Sequence, residues 1–131
     1  MANAPESSLL FPTPDAASAG VTQAFAMLEG RWKLIILFHL FGSRVLRYSE
    51  LERAIAGISQ KMLTQQLRQL ERDGLVKRVV FPEVPPRVEY RLTPWGEALC
   101  PALDALLLWT ARQPRNETAA ENDASPAGER E

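Results

Sequence analysis

The stretch from Ser59 to Gly74 constrains this chain more than any other. Leu63, Leu67 and Leu70 recur at i, i+4 and i+7, the spacing of one helix face. Ser59 stands where an N-cap belongs and Gly74 where a C-terminal stop belongs, which predicts a helix from about Gln60 to Asp73. The side away from the leucines carries Gln60, Lys61, Thr64, Gln65 and Arg68 as one contiguous polar stripe, and no Asp or Glu occurs from Ser59 to Leu70. Such a helix is held by one face and presents the other to something that disfavours carboxylates.

The charge distribution agrees with that reading although the total does not. The 131 residues carry a formal net charge of -1. From Gly30 to Leu92, however, twelve Lys/Arg face six Asp/Glu, and Glu117, Glu121, Asp123, Glu129 and Glu131 collect in the tail. A basic centre with an acidic tail suits a polyanion partner. The length and the 46% hydrophobic content fit one ordinary globular domain. We expect a flexible arm over 1–18, one ordered domain over 19–113 and a disordered acidic tail over 114–131.

Around the Ser59 helix the pattern predicts four helices, two strands and a last helix in that order when it is counted as the fourth. Val21, Ala24, Phe25 and Leu28 share a helix face that Gly30 stops. Arg31 to Phe41 is apolar on nearly all sides and is expected to be buried all round, ending at Gly42-Ser43. Ser49 with Glu52 three residues on reads as a capping box for a short helix that buries Leu51, Ala54 and Ile55 and stops at Gly57. Val76, Val79 and Val80 make Leu75 to Phe81 β-prone. Pro82-Glu83-Val84-Pro85-Pro86 breaks the strand, and Arg87 to Leu92 alternates with Val88, Tyr90 and Leu92 on one face. Thr93-Pro94 then caps a helix with Leu99, Leu103, Leu106 and Leu107 in a stripe, running to about Arg112. The fold class is mainly α with a small antiparallel β-hairpin. Two helices joined by a glycine turn and followed by a hairpin make a winged helix-turn-helix.

Several chemistries are disfavoured. One cysteine, Cys100, and one histidine, His39, allow neither an intrachain disulfide nor a Cys/His zinc cluster. No Gly-rich phosphate loop occurs and nothing near His39 suggests a nucleophile-and-base pair, so the chain does not read as an enzyme and no cofactor is expected. Cys100 is read as a small apolar core residue and His39 as a filler beside an apolar helix. The start lacks a basic leader and the apolar run Leu34 to Leu40 is far short of a membrane span, so the expected location is cytoplasmic with no membrane partner.

Double-stranded DNA is the partner that fits. Gln pairs bidentately with adenine, Arg or Lys with guanine, and a Thr methyl touches the thymine methyl. Ser59 and the free amides at its helix start can hold a phosphate. Lys77, Arg78, Arg87 and Arg91 flank the proline-stiffened hairpin tip, where cations can follow the backbone or enter the minor groove. The DNA-contacting candidates are therefore Ser59, Gln60, Lys61, Thr64, Gln65, Arg68, Lys77, Arg78, Arg87 and Arg91. The alternative is a winged helix used only for protein–protein contact, and the acid-free stripe argues against it. The last helix repeats Leu99, Leu103, Leu106, Leu107 and Trp109, more apolar face than so small a domain needs, and a homodimer through the first and last helices, at Val21, Phe25, Leu99, Leu103, Leu106 and Trp109, would bury it. The aromatics Phe25, Trp32, Phe38, Phe41 and Trp109 are candidates to line a site for a small aromatic effector, although core packing accounts for most of them.

The residues also carry a family resemblance. Leu28 to Leu37, with Gly30-Arg31-Trp32-Lys33 at its centre, looks like the opening of the HxlR-type winged helix regulators. Gly57 to Leu75 is similar to that family's recognition helix, and Glu83 to Tyr90 resembles its wing. The resemblance covers about residues 20–110. It implies a dimeric repressor or activator reading a pseudo-palindrome, with a fold related to the MarR regulators. Many members carry a cysteine just before the first helix, and some use it to sense electrophiles or oxidants. That place falls near Ala19 here, and no cysteine precedes Cys100, so thiol sensing at the N-terminus does not carry over.

Overall fold

The structure, a computed structural model, describes residues 5–114. A single 3-10 turn, Glu6–Leu9, precedes α1 (Pro14–Leu28). Thr13 caps α1 by accepting from the amide of Ala16 at 3.1 Å, and Pro14 takes the first helical position. The helix thus starts inside the segment expected to be a flexible arm. The Phe11 ring lies against Gly20, where a Cβ would come within 3.0 Å of it. No residue of α1 is buried.

In α2 (Lys33–Ser43) the expectation of burial on all sides fails. Ile36, Leu37 and Leu40 are buried, while Leu34, Ile35 and Phe38 are exposed. A run of continuous apolar residues does not say which side a single chain will cover. The helix passes through Gly42 and ends with Arg44 at φ 70°, a conformation uncommon for a residue with a Cβ.

The chain then forms β1 (Val45–Arg47), which the sequence reading missed, and α3 (Tyr48–Ala54). Glu50, not Glu52, closes the helix start, its carboxylate accepting from the Arg47 amide at 2.7 Å. Arg47 has no side-chain acceptor to return a bond, so only this half of a capping box forms, two residues nearer the N-terminus than expected, and Ser49 lies inside the helix. Gly57 takes φ 83° in the turn to α4, with the Trp32 ring beside it.

In α4 (Gln60–Arg72) Ser59 Oγ accepts from the Met62 amide at 3.0 Å. Leu63, Leu67 and Leu70 are buried against the interior, each contributing about 1.5–3 kcal/mol by leaving water. At the far end Gly74 (φ 80°) donates to Glu71 O and Leu75 donates to Leu70 O, both at 3.0 Å. This is the paired bonding that ends a helix at a left-handed residue, and Leu70 and Leu75 are both buried there.

Strands β2 (Val76–Phe81) and β3 (Arg87–Leu92) form the expected hairpin. Strand β1 pairs with the free edge of β3, so the sheet has three strands in the order β1-β3-β2. Tyr90, Leu92 and Val76 turn into the core, which also holds Leu51, Ile55 and Ile58.

The last helix, α5 (Pro94–Ala111), is capped by Thr93 as expected: Thr93 Oγ1 accepts from the Gly96 amide at 3.0 Å and donates to Gly74 O at 2.6 Å. Gly96 is buried, and a Cβ there would strike the Leu75 carbonyl and come within 3.3 Å of Leu92. Two compact units divide the chain between Glu97 and Ala98, inside α5. In the second, Leu103 is buried, Leu99 and Cys100 are half-buried, and Leu106, Leu107, Leu108 and Trp109 are exposed. Only residue 114 of the expected tail lies among the described residues; the rest is outside them.

Candidate nucleic-acid interface

The three buried leucines of α4 fix which of its side chains face outward. Gln60, Lys61, Thr64, Gln65 and Arg68 line one open groove together with Tyr48, Gln69 and Arg72. None of these eight is acidic. Ser59, the N-cap just before Gln60, is not among the lining residues, and its hydroxyl oxygen is engaged by the Met62 amide. The stripe anticipated from spacing is thus one surface, and helix α3 contributes a residue that spacing did not reveal.

That residue is Tyr48. Its hydroxyl donates to the Gln60 carbonyl at 2.9 Å and lies 2.8 Å from Thr64 Oγ1. It ties the start of α3 to the first turn of α4. Tyr48 and Thr64 are 16 residues apart, so no local period joins them. Gln69 and Arg72 follow the same outward face and were legible from the helical repeat.

A second hollow shares Tyr48, Thr64 and Arg68 with the first and adds Glu71, Arg78, Val88 and Tyr90. Register explains why Arg78 is here. Arg78 pairs with Tyr90 and Val80 with Val88, which puts them on the sheet face that carries the buried Tyr90. Burial pushes the Tyr90 phenol above its ordinary value, and the neighbouring Arg78 guanidinium pulls it back.

The other predicted wing cations lie elsewhere. Lys77 stands directly opposite Arg91 and Phe81 opposite Arg87, so Lys77, Arg87 and Arg91 occupy the other face of the hairpin. Like charges directly opposite destabilise a strand pair, and Glu89 lies 3.7 Å from Arg91, which eases the Lys77–Arg91 encounter. Arg87 is not a free cation. Its guanidinium meets Glu89 at 2.6 Å and Glu83 at 2.9 Å, and it stacks over the Phe81 ring at 3.9 Å. Arg87 holds Glu83 below the usual carboxylate range, and Glu83 raises Arg87 in turn. The tip between them contains the cis peptide Val84–Pro85. Arg87 therefore clasps the wing closed.

Of the residues expected to assemble a dimer, Val21 and Phe25 are exposed on α1, and Leu106 and Trp109 are exposed on α5. Leu103 is already buried and has little surface left to offer. Among the aromatics, Phe38 and Phe41 meet edge to face at 5.6 Å, and Arg31 lies 4.2 Å over the Trp32 ring.

A helix-turn-helix whose second helix is held by its inner face, followed by a sheet whose hairpin projects as a wing, defines a winged helix-turn-helix protein. The sequence places it more narrowly. The HxlR-like helix-turn-helix family model matches residues 27–118, and the chain belongs to that family of DNA-binding transcriptional regulators. It is 47% identical over 91 residues to the HTH-type transcriptional regulator YtcD of Bacillus subtilis (strain 168), a match spanning 70% of this chain and 71% of that one. It is similar to the crystal structure of a transcriptional regulator of the MarR family from Enterococcus faecalis V583, with TM-score 0.68 and 44% identity over 82% of this chain and 91% of that one. It is also similar to the reduced form of the transcriptional regulator YodB from B. subtilis, with TM-score 0.65 and 34% identity over 78% of this chain and 94% of that one. Among the described residues no helix is long and apolar enough to cross a membrane.

Proposed function

We propose that this regulator binds a pseudo-palindromic DNA operator as a homodimer, with α4 in the major groove and the wing on the phosphate backbone or in the adjacent minor groove. The observation that carries the reading is the acid-free groove of α4, backed by Leu63, Leu67 and Leu70. Gln65 and Arg68 are the base readers, Thr64 supports them, and Gln60, Lys61 and the helix start hold phosphate. Arg78 extends the basic surface from the sheet side. Lys77 and Arg91 supply the exposed cations of the wing's other face, while Arg87 shapes the wing by holding Glu83 and Glu89.

The dimer rests on apolar surface that a lone chain leaves in water. Phe25 is 56% exposed and Trp109 is 70% exposed, and α1 buries nothing. A second copy covers these residues and sets two α4 helices on one duplex, with half-site centres about 34–36 Å apart or a multiple of that. Binding-site selection from random duplex DNA at a stated salt concentration tests the whole reading. It should return two related, inverted half-sites. Enrichment of no sequence would contradict it.

A further inference from the structure

We infer that Tyr48 is a specificity-determining positioning residue, one that fixes the hydrogen-bonding sense in which Thr64 meets a base. The inference rests on the proposed reading that α4 enters the major groove. It follows from counting protons. The Gln60 carbonyl has none, so the 2.9 Å contact is a bond that Tyr48 donates. A tyrosine hydroxyl has one proton, and that bond uses it. The 2.8 Å contact between Tyr48 and Thr64 Oγ1 then needs its proton from Thr64.

Thr64 therefore faces the groove with its only hydroxyl proton turned inward. What remains for a base is an oxygen lone pair and a methyl group. In the major groove adenine N6 and cytosine N4 are donors that the lone pair can accept from, and thymine offers a methyl for contact. Guanine shows only the acceptors N7 and O6 there. A threonine free to rotate its hydroxyl would donate to guanine; the Tyr48-bound threonine does not. Tyr48 thus excludes guanine at one position of each half-site through the hydroxyl of Thr64.

The test compares wild type, Tyr48→Phe, Thr64→Val and Thr64→Ser on duplexes carrying each of the four bases in turn at every half-site position, at one salt. The position whose preference changes in Thr64→Val is the one that Thr64 reads. At that position Tyr48→Phe should raise guanine relative to the other bases by about two- to ten-fold, the worth of one hydrogen bond. Once Thr64→Val is present, adding Tyr48→Phe should change the base profile no further, as coupled residues require. Thr64→Ser keeps the hydroxyl on Tyr48, so guanine should stay excluded while thymine loses its methyl contact. This variant tests the idea even where Tyr48→Phe disturbs folding.

Three results overturn the inference alone: a guanine penalty unchanged in Tyr48→Phe, guanine accepted by Thr64→Ser, or no position altered by Thr64→Val. A wild-type protein with no preference among duplexes overturns the proposed DNA reading and this inference with it.

Discussion

Among the glycines of the described residues, Gly96→Ala should be the most damaging substitution. Gly96 lies in the first turn of α5, where that turn crosses the end of the α4–β2 junction. The new Cβ would fall on the Leu75 carbonyl oxygen, a backbone atom, with Leu92 3.3 Å away on another side. A flexible side chain could swing aside, but here two backbones must part. The Leu75 carbonyl is held in place by the Thr93 amide at 3.0 Å, and the Thr93 hydroxyl bonds Gly74 O, so separation strains bonds at the root of the wing. Overpacking of this kind costs about 3 kcal/mol, the upper end of its usual range. Alanine gains about 1 kcal/mol over glycine in a helix, which leaves a net loss of about 2 kcal/mol. For a domain this small that lowers Tm by roughly 8–16 °C. Thermal unfolding followed by circular dichroism at one fixed protein concentration measures it. A Tm within about 2 °C of wild type would refute the packing argument, because the two backbones would then be free to move apart at little cost.

Arg87→Ala should weaken binding to every duplex by loosening the wing and leaving Glu83 and Glu89 facing the phosphates. The salt slope should fall by clearly less than the ~0.9 of a full phosphate contact, and a drop that large would show Arg87 leaving its carboxylates for DNA. The Glu83 carboxyl is held below its ordinary value by Arg87, so its contribution to wing order is present above that ordinary value and lost as pH falls through the lowered one; NMR shifts of the wing amides should report this step, and Glu83→Gln should remove it. Light scattering should give about twice 14.6 kDa for the wild type and a monomer mass for Phe25→Glu combined with Trp109→Glu. A wild-type monomer at micromolar concentration would refute the homodimer.

The α4 groove was legible because one helix writes its inner and outer faces as a period of its own sequence, with Ser59 and Gly74 marking its ends. Features that depend on distant partners were not legible in that way. Strand β1 is three residues between two helices, too short to show alternation, and it exists because β3 offers an edge. Thr13-Pro14 and Thr93-Pro94 are the same helix-opening pair. Only the second is followed by a leucine stripe, so the start of α1 among small residues passed for an arm. Glu52 lies three residues after Ser49, a capping residue by type, whereas Glu50 lies three after Arg47, which is not one, and the β1 pairing decides between them by making Arg47 the last strand residue. The wing's basic residues were identified by type, but only the register separates Arg78 from Lys77 and Arg91, and only the folded tip sets Arg87 between two carboxylates.

The central claim is that α4 reads sequence, and Gln65 tests it most directly. Its side chain is exposed in the groove and neutral, so it adds nothing to counterion release. The measurement is the ratio of affinities for the selected operator and a scrambled duplex, wild type beside Gln65→Ala, at one salt concentration. A bidentate contact carries ~1–3 kcal/mol of discrimination and would be lost once in each half-site. The account predicts that the ratio falls by at least tenfold while affinity for the scrambled duplex stays nearly constant. An unchanged ratio, or an equal loss on both duplexes, would contradict it.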